Sequence, residues 1–414
     1  MALTLSGTNG VVGAGFSITP GGAVAGIVTV GAAVTISESG IEASGIGITC
    51  ANINGTQIGG RRNIIINGAM NVAQRGTSST TSGIYTVDRV RTEFTGTDEA
   101  VTQEQVDVTS GTSPYTEGFR KALKITNGNQ TSGAGAADFV RIRTNHEGSS
   151  LATSGWNYTS SSSFITVQFW VRSSVAQTYQ AYVRSMATTS QIYVWEFALS
   201  ANTWTKVIRT IPGNSNIAFD NNNQNGLELS ILPFMGTDYT TASPTLNAWG
   251  AFSGGDSRKD MTSTWYTTND ATFELTGLQL EVGSQATAFE HLSLGEELRL
   301  CQRYFCRFQP ATGFINYGIG GAYSNTQAVA QIIFPVPLRA SPTFSYNGAL
   351  NTFYDIVGGF SSLSALVQTQ VMGSATTGYS HVNVQATGSG TAGNPYMLAT
   401  YNNTNTYLDF ESEF

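Results

Sequence analysis

Charge is what this chain has least of. Asp, Glu, Lys and Arg make up 11% of its 414 residues, against about 25% in a typical soluble domain. Twenty basic and 27 acidic side chains leave a net charge of −7, and no basic patch stands out, so nucleic acid is not an expected partner. Cysteine is nearly absent. Cys50, Cys301 and Cys306 give no disulfide framework, and no His stands near enough to complete a metal site. They are expected as small buried thiols. No apolar run approaches 18 residues and no charged-then-apolar leader opens the chain. The expectation is synthesis in a reducing cytoplasm and exit without a cleaved signal, with no membrane insertion, no metal and no cofactor.

What is present is neutral polar surface, glycine and short β-forming runs. Residues 1–60 contain fourteen glycines, one aromatic (Phe16) and two charged side chains (Glu38, Glu42). Within them Ile27–Val30, Val34–Ile36, Ile41–Ala43 and Ile46–Thr49 each offer one or two branched apolar residues before a bend. Ordering the backbone costs roughly 1–2 kcal/mol per residue, more for glycine. A single copy of this segment has too little apolar surface to offset that. Two solutions stand open: an intertwined β-stalk in which neighbouring chains supply the missing core, or a flexible segment that orders on a partner.

Beyond residue 60 strand signals dominate, with branched and aromatic runs separated by Gly, Ser, Thr and Asn clusters, the pattern of a sandwich or jelly roll. Strands are expected near 85–95, 101–108, 119–126, 138–144, 164–172, 178–184, 191–199, 204–211, 227–232 and 271–281. In the run 164–172, Ile165, Val167, Phe169 and Val171 share one face, the core face. Phe164, Thr166, Gln168, Trp170 and Arg172 share the other. Leu294, Leu298, Cys301 and Phe305 are spaced for one short helix, with Glu296 and Glu297 in its first turn and Arg303 nearer its end. After 306 lysine disappears and aromatics become frequent. The prolines of Phe334–Pro342 argue against a central strand there. The fold class is all-β. The expected division is an intertwined β-stalk (1–60), a central jelly-roll β-sandwich (61–292), a connector helix (293–306) and a C-terminal β-sandwich tip (307–414).

Three stretches carry a family likeness. The first is Asn63-Ile64-Ile65-Ile66-Asn67-Gly68-Ala69-Met70 with Gln74-Arg75-Gly76 and Tyr85-Thr86-Val87-Asp88-Arg89. The second is Leu275-Thr276-Gly277-Leu278-Gln279-Leu280-Glu281-Val282-Gly283-Ser284 followed by Ala288-Phe289-Glu290-His291. The third runs from Glu296-Glu297-Leu298 through Leu300-Cys301-Gln302-Arg303-Tyr304-Phe305. In their order and spacing the chain resembles tail-fibre and related host-contact proteins of tailed bacteriophages, especially those of cyanobacteria and other marine bacteria. Residues 335–343 add to the likeness. The resemblance implies a homotrimer, an N-terminal part that attaches to the phage tail, baseplate or an adaptor, a jelly roll akin to carbohydrate-binding modules, and a tip that meets the host surface. It places the protein in the virion, assembled in the host cytoplasm. Related modules often carry a calcium-liganding Asp near the position of Thr276-Gly277; no carboxylate stands there.

Catalysis finds little support. Glycoside hydrolysis needs two carboxylates about 5–9.5 Å apart, and nothing pairs Asp256, Asp260, Asp270, Glu274 or Glu281 beside an aromatic platform. Glu281 is expected in a structural ion pair with an arginine such as Arg303. His146, His291 and His381 are scattered. Sugar binding is better motivated: a ring stacks on the C–H face of a pyranose while amides, arginine and carboxylates take the hydroxyls. Trp170 with Gln168 and Arg172 fits that description, and Trp249 and Trp265 are further candidates, although a place in the core or in a chain–chain contact is the favoured reading of each Trp. In the tip, Tyr379, Tyr396, Tyr401 and Tyr407 lie among Gly, Asn and Thr, as rigid rings in an adaptable surround do in paratopes. The sequence reading is therefore a non-enzymatic trimeric tail fibre that binds bacterial surface glycan. Its alternatives are a capsid fibre or decoration protein without receptor role and a polysaccharide depolymerase tailspike.

Overall fold

The alternating run at 164–173 sets the architecture. In the computed structural model, which describes residues 62–186, 189–355, 361–374, 378–400 and 403–414 and the backbone of short strands within 28–57, Ile165, Val167, Phe169 and Val171 are fully buried. They lie between two six-stranded antiparallel sheets. Within Met1–Ile53, which clusters by itself, β1 (Val28–Thr29), β2 (Val34–Ser37) and β3 (Gly40–Ala43) pair as an antiparallel meander of the one chain. Asn52–Ile53 and Thr56–Gln57 are two further short strands; the expected piece Ile46–Thr49 lies outside the described residues.

The sandwich strands are β4 (Ser78–Ser79), β5 (Arg91–Thr95), β6 (Thr102–Asp107), β7 (Lys121–Thr126), β8 (Phe139–Glu147), β9 (Phe164–Ser173), β10 (Gln177–Ser185), β11 (Gln191–Leu199), β12 (Thr205–Pro212), β13 (Asn225–Met235), β14 (Trp249–Ala251) and β15 (Thr272–Val282). The first sheet has the order β14-β11-β10-β13-β8-β5, the second β12-β9-β15-β7-β6-β4. The order interleaves strands distant in sequence, and the inner faces interdigitate as aromatic pairs. Phe169 meets Phe197 at 5.6 Å, Tyr179 meets Phe273 at 5.1 Å, and Phe234 stacks on Tyr266 at 4.5 Å. Each such ring withdraws apolar surface worth roughly 1.5–3 kcal/mol. One edge of each sheet is very short, three residues in β14 and two in β4, which leaves little ladder open to foreign strands. Opposite Phe169 the ladder slips. There Gly277 adopts φ +65°, and a Cβ on it would lie 2.7 Å from the Phe119 ring, so the bulge requires glycine.

A helix follows, α1 (Leu294–Gln302), opened by a capping box between Ser293 and Glu296. It is shorter than its apolar spacing suggests. Leu294 is 62% exposed, and Phe305 has already entered β16 (Phe305–Phe308), where it pairs with Glu411. Ladder hydrogen bonds take the chain before the helix can complete its last turn.

The C-terminal strands are β17 (Ile315–Ala322), β18 (Gln327–Leu338), β19 (Thr343–Asn347), β20 (Phe353–Asp355), β21 (Ser361–Ser374), β22 (Gly378–Ser389), β23 (Pro395–Thr400) and β24 (Tyr407–Glu411). A three-stranded sheet, β16-β24-β19, packs on a six-stranded one, β20-β23-β17-β18-β22-β21, around Phe410, Leu408, Ile332, Val382, Val384 and Leu398. The proline run departs from expectation. β18 lies inside its sheet, pairing with β17 and β22. Pro335 and Pro337 fall where the ladder jumps from Ile333–His381 to Leu338–Tyr379, so neither removes a paired donor.

Candidate functional site

The outer face of β9, the first place where sugar chemistry is expected, is roofed by the chain itself. The roof is held by Glu281, which accepts from the Thr287 backbone N–H (2.8 Å) and hydroxyl (2.6 Å), and by Gln279, which accepts from Glu290 N–H at 2.8 Å. Under it Gln168 donates to the Thr287 carbonyl at 2.7 Å. Trp170 is 8% exposed among Ala69, Val108, Phe119 and Ala122, and its indole N–H donates to Glu117 at 3.0 Å. Gln168 and Trp170 present no open sugar-binding face. Arg172 remains at the margin, paired with Glu274 and 5.4 Å from the half-buried Trp204 ring. Trp265 is fully buried, and Trp249 spends its N–H on the Pro212 carbonyl at 2.6 Å. At the position where calcium-binding modules carry a carboxylate, Thr276 donates to the Lys121 carbonyl at 2.7 Å.

Glu281 does not pair with Arg303. Its oxygens are taken by Thr287 and Gln279, while Arg303 forms a two-pronged pair with Glu147 (2.7 and 2.8 Å). That pair belongs to a polar clasp that joins the jelly roll to α1 and the C-terminal sandwich, and the resemblance-bearing residues converge on it. Asn67 holds the turn by donating to the Val72 and Asp88 carbonyls and accepting from Val72 N–H. Arg75 stacks on Phe305 at 3.5 Å and Arg89 on Tyr304 at 3.4 Å. Arg89 also donates to Glu413, and Tyr304 donates to Glu147 at 2.6 Å. Arg339 donates to the carbonyls of Ser412, Glu413 and Asn223, each at 2.8 Å.

The electrostatics of the clasp follow from burial. Burial pushes the Asp88 carboxyl up to about 6, against Arg75 and two hydrogen bonds from Gln74. Burial would also raise Glu147, but the Arg303 and Tyr304 hydrogen bonds outweigh it and hold that carboxyl below its ordinary value. Desolvation pushes the Cys306 thiol up to about 12 and Cys301 well above its usual range, as expected of inert buried thiols.

The C-terminal tyrosines do not converge. Tyr396 is fully buried beneath its sheet. Tyr379 is half-buried in β22 beside the Leu338 bulge. Tyr407 lies on the other sheet under the Arg307 guanidinium at 3.7 Å, with Arg307 clamped to Asp409 at 2.8 and 2.7 Å. Tyr401 lies outside the described residues. What the fold does build is a groove between two strands that each end their own sheet, β19 and β21. It has a volume of about 580 Å³ and is lined by Pro342, Phe344, Tyr346, Leu366, Val367 and Gln368, with Thr343 and Ser345. The Phe344 and Tyr346 rings, 6.0 Å apart, are anchored from behind by Phe410 (5.2 Å) and Phe353 (5.7 Å). Gln368 donates to the Pro342 carbonyl at 3.0 Å, and its side-chain oxygen is buried without a hydrogen-bond partner among the described residues. Sequence reading counted Phe344 and Tyr346 among many aromatics. The signal available was their i, i+2 spacing directly after Pro342, which puts both rings on one face of a strand that starts at an edge.

No family model matches the chain and no curated protein matches it. Among solved structures, it is similar to a Family 16 carbohydrate-binding module (12% identity, 43% of this chain and 84% of that one, TM-score 0.23). It is also similar to the N-terminal cellulose-binding domain of Cellulomonas fimi β-1,4-glucanase C (13% identity, 52% and 99%, TM-score 0.25). A third is the N-terminal CBM22-1–CBM22-2 tandem domain of Paenibacillus barcinonensis Xyn10C (9% identity, 88% and 98%, TM-score 0.26). At these scores the likeness carries no argument about what the chain binds; the all-β sandwich architecture stands on the chain's own sheets.

Proposed function

We propose that this chain is a non-enzymatic adhesion protein of a phage virion, a tail fibre, and that the groove between β19 and β21 holds glycan of the bacterial surface. The observation that carries the reading is the combination in that groove of two anchored rings and an amide side chain. A pyranose presents an apolar C–H face and a rim of hydroxyl donors. Phe344 and Tyr346 offer the stacking surface. The Gln368 amide stands beside them; its oxygen is buried and has no hydrogen-bond partner among the described residues, so it becomes an acceptor for a hydroxyl once the side chain turns towards the groove. The groove falls within the usual size range of ligand sites, about 300–1,000 Å³. Residues 1–60 would attach the protein to the tail, baseplate or an adaptor. Several copies on one shaft would turn weak single-site contacts into avidity.

The test is binding of the purified full chain to an array of bacterial lipopolysaccharides and capsular polysaccharides, beside the Tyr346→Ala and Gln368→Ala variants. Each variant is expected to lose about tenfold in affinity for the polysaccharide the parent selects, about 1.4 kcal/mol. Parental binding that both variants retain would overturn the groove as the site, and release of shortened polysaccharide would overturn the non-enzymatic reading.

A further inference from the structure

We propose that the outer face of the six-stranded C-terminal sheet docks against the same face of another copy of this chain; the inference rests on the reading of the protein as an oligomeric fibre and locates one of its contacts. In these six strands there is no Lys or Arg, and the one carboxylate is Asp355, in the edge strand β20. On the outer face the register lines up Ile319, Gln331, Asn383 and Gln370 across β17, β18, β22 and β21. Ile333, His381 and Met372 form the next row. Ile333 is 69% exposed, Ile319 61% and Met372 49%. The opposite faces of the same strands, with Ala330, Ile332, Val382 and Val384, are fully buried. Both faces of the sheet are therefore built of uncharged side chains, and among the described residues only one has a partner.

Large aliphatic side chains this exposed, on a face without charge, mark an interaction surface. Its occupant must bring no charge to the contact, because stripping ions of water against Ile and Met is costly even when they are paired. That excludes the jelly-roll faces of another copy. The first sheet carries Arg141 and Arg143 bridged by Glu93 and Glu228 on its outside, and the second carries Arg172–Glu274 and Lys124–Glu104. The matching face of a second copy meets the condition: aliphatic groups meet aliphatic groups, and the amides of Gln331, Gln370 and Asn383, each both donor and acceptor, meet their counterparts. Copies whose like faces turn towards a common symmetry axis also close on themselves, which limits assembly to a defined oligomer.

The experiment is thiol labelling of Ile333→Cys in the full chain, with reaction of the wild-type cysteines subtracted, against an exposed jelly-roll reference, Thr109→Cys. Labelling at 333 is expected to be at least tenfold slower than at 109. Adding Ile319→Lys to the same chain is expected to restore the reference rate. Both substitutions are at exposed positions, and an unchanged unfolding midpoint confirms that the fold survives. Labelling at the reference rate in the unaltered assembly would overturn the proposal. So would protection in a particle whose mass by light scattering is that of one chain, since the cover would then be the chain's own. The groove variant Tyr346→Ala is expected to keep the protection at 333, so loss of glycan binding and loss of docking are read separately.

Discussion

Asp88 offers a test whose sign alone decides. Its side chain is 1% exposed, and its carboxyl stands at about 6 in the folded chain against an ordinary 3.8. Burial wins over the nearby Arg75 because the pair is long, 3.7 Å, beyond hydrogen-bond reach, and the Arg75 terminal nitrogens make no hydrogen bond. The folded state therefore binds this proton more tightly than the open chain does. The contribution to stability is fully present below pH 3.8 and is lost as pH rises through 6. At 1.36 kcal/mol per pH unit the loss is about 3 kcal/mol. Asp88→Asn removes the titration. The measurement is urea unfolding of both proteins between pH 3.5 and 7.5, followed by tryptophan fluorescence. All six tryptophans lie between residues 156 and 265, so the signal reports the jelly roll to which Asp88 belongs. The stability of the parent minus that of Asp88→Asn is expected to fall by about 3 kcal/mol across the range, whatever constant offset the lost hydrogen bonds add. A difference that rises with pH would mean that Arg75 and Gln74 outweigh desolvation, and the account of the clasp would be wrong.

Arg303→Met strands Glu147, 5% exposed, without its two-pronged partner; the expected loss is about 3–5 kcal/mol in the same urea assay, and Glu147→Gln on top of it should recover part of that loss. Gly68→Ala would place a Cβ 2.0 Å from the Leu278 carbonyl oxygen, which also lies beside the Gly68–Leu278 backbone hydrogen bond; the expected cost is at least about 3 kcal/mol, read as a lowered midpoint or failure to fold.

The period-two signal in the strands is local, and it was legible almost to the residue. The runs expected at 164–172, 191–199 and 271–281 are strands at Phe164–Ser173, Gln191–Leu199 and Thr272–Val282. The run at 85–95 narrowed to Arg91–Thr95 because the chain before it is held in turns, with Asn67, Met70 and Arg89 at positive φ and Asp88 tied to Gln74. The core face of β9 was readable because Ile165, Val167, Phe169 and Val171 alternate. The fate of its other face was not, because the cover comes from Gly283–Glu290, more than a hundred residues away. Tyr396 misled for a related reason. Its neighbours Asn394 and Pro395 read as a loop, yet pairing of Tyr396 with Gly320 turns the ring inward. The groove was invisible because it exists only between the edges of two different sheets.

One set of charges in this chain lies where its parts join. Arg75, Asp88, Arg89, Glu147, Arg303, Arg307, Arg339, Asp409 and Glu413 all sit in or beside the clasp, and most of the motif residues that carry the family likeness either contact them or pin the β15 roof. The recognisable part of the sequence is thus a frame: it fixes how α1 and the C-terminal sandwich are held to the jelly roll. The groove and the uncharged sheet face lie in residues 319–383, which share with the likeness only the short run 335–343. A frame that demands buried ion pairs tolerates few substitutions. An edge groove of Phe344, Tyr346 and Gln368 touches none of those pairs, so its side chains can be exchanged without disturbing the joint. The architecture thus separates the two: the groove side chains stand on strand edges, and the buried charge of the clasp lies in the seam.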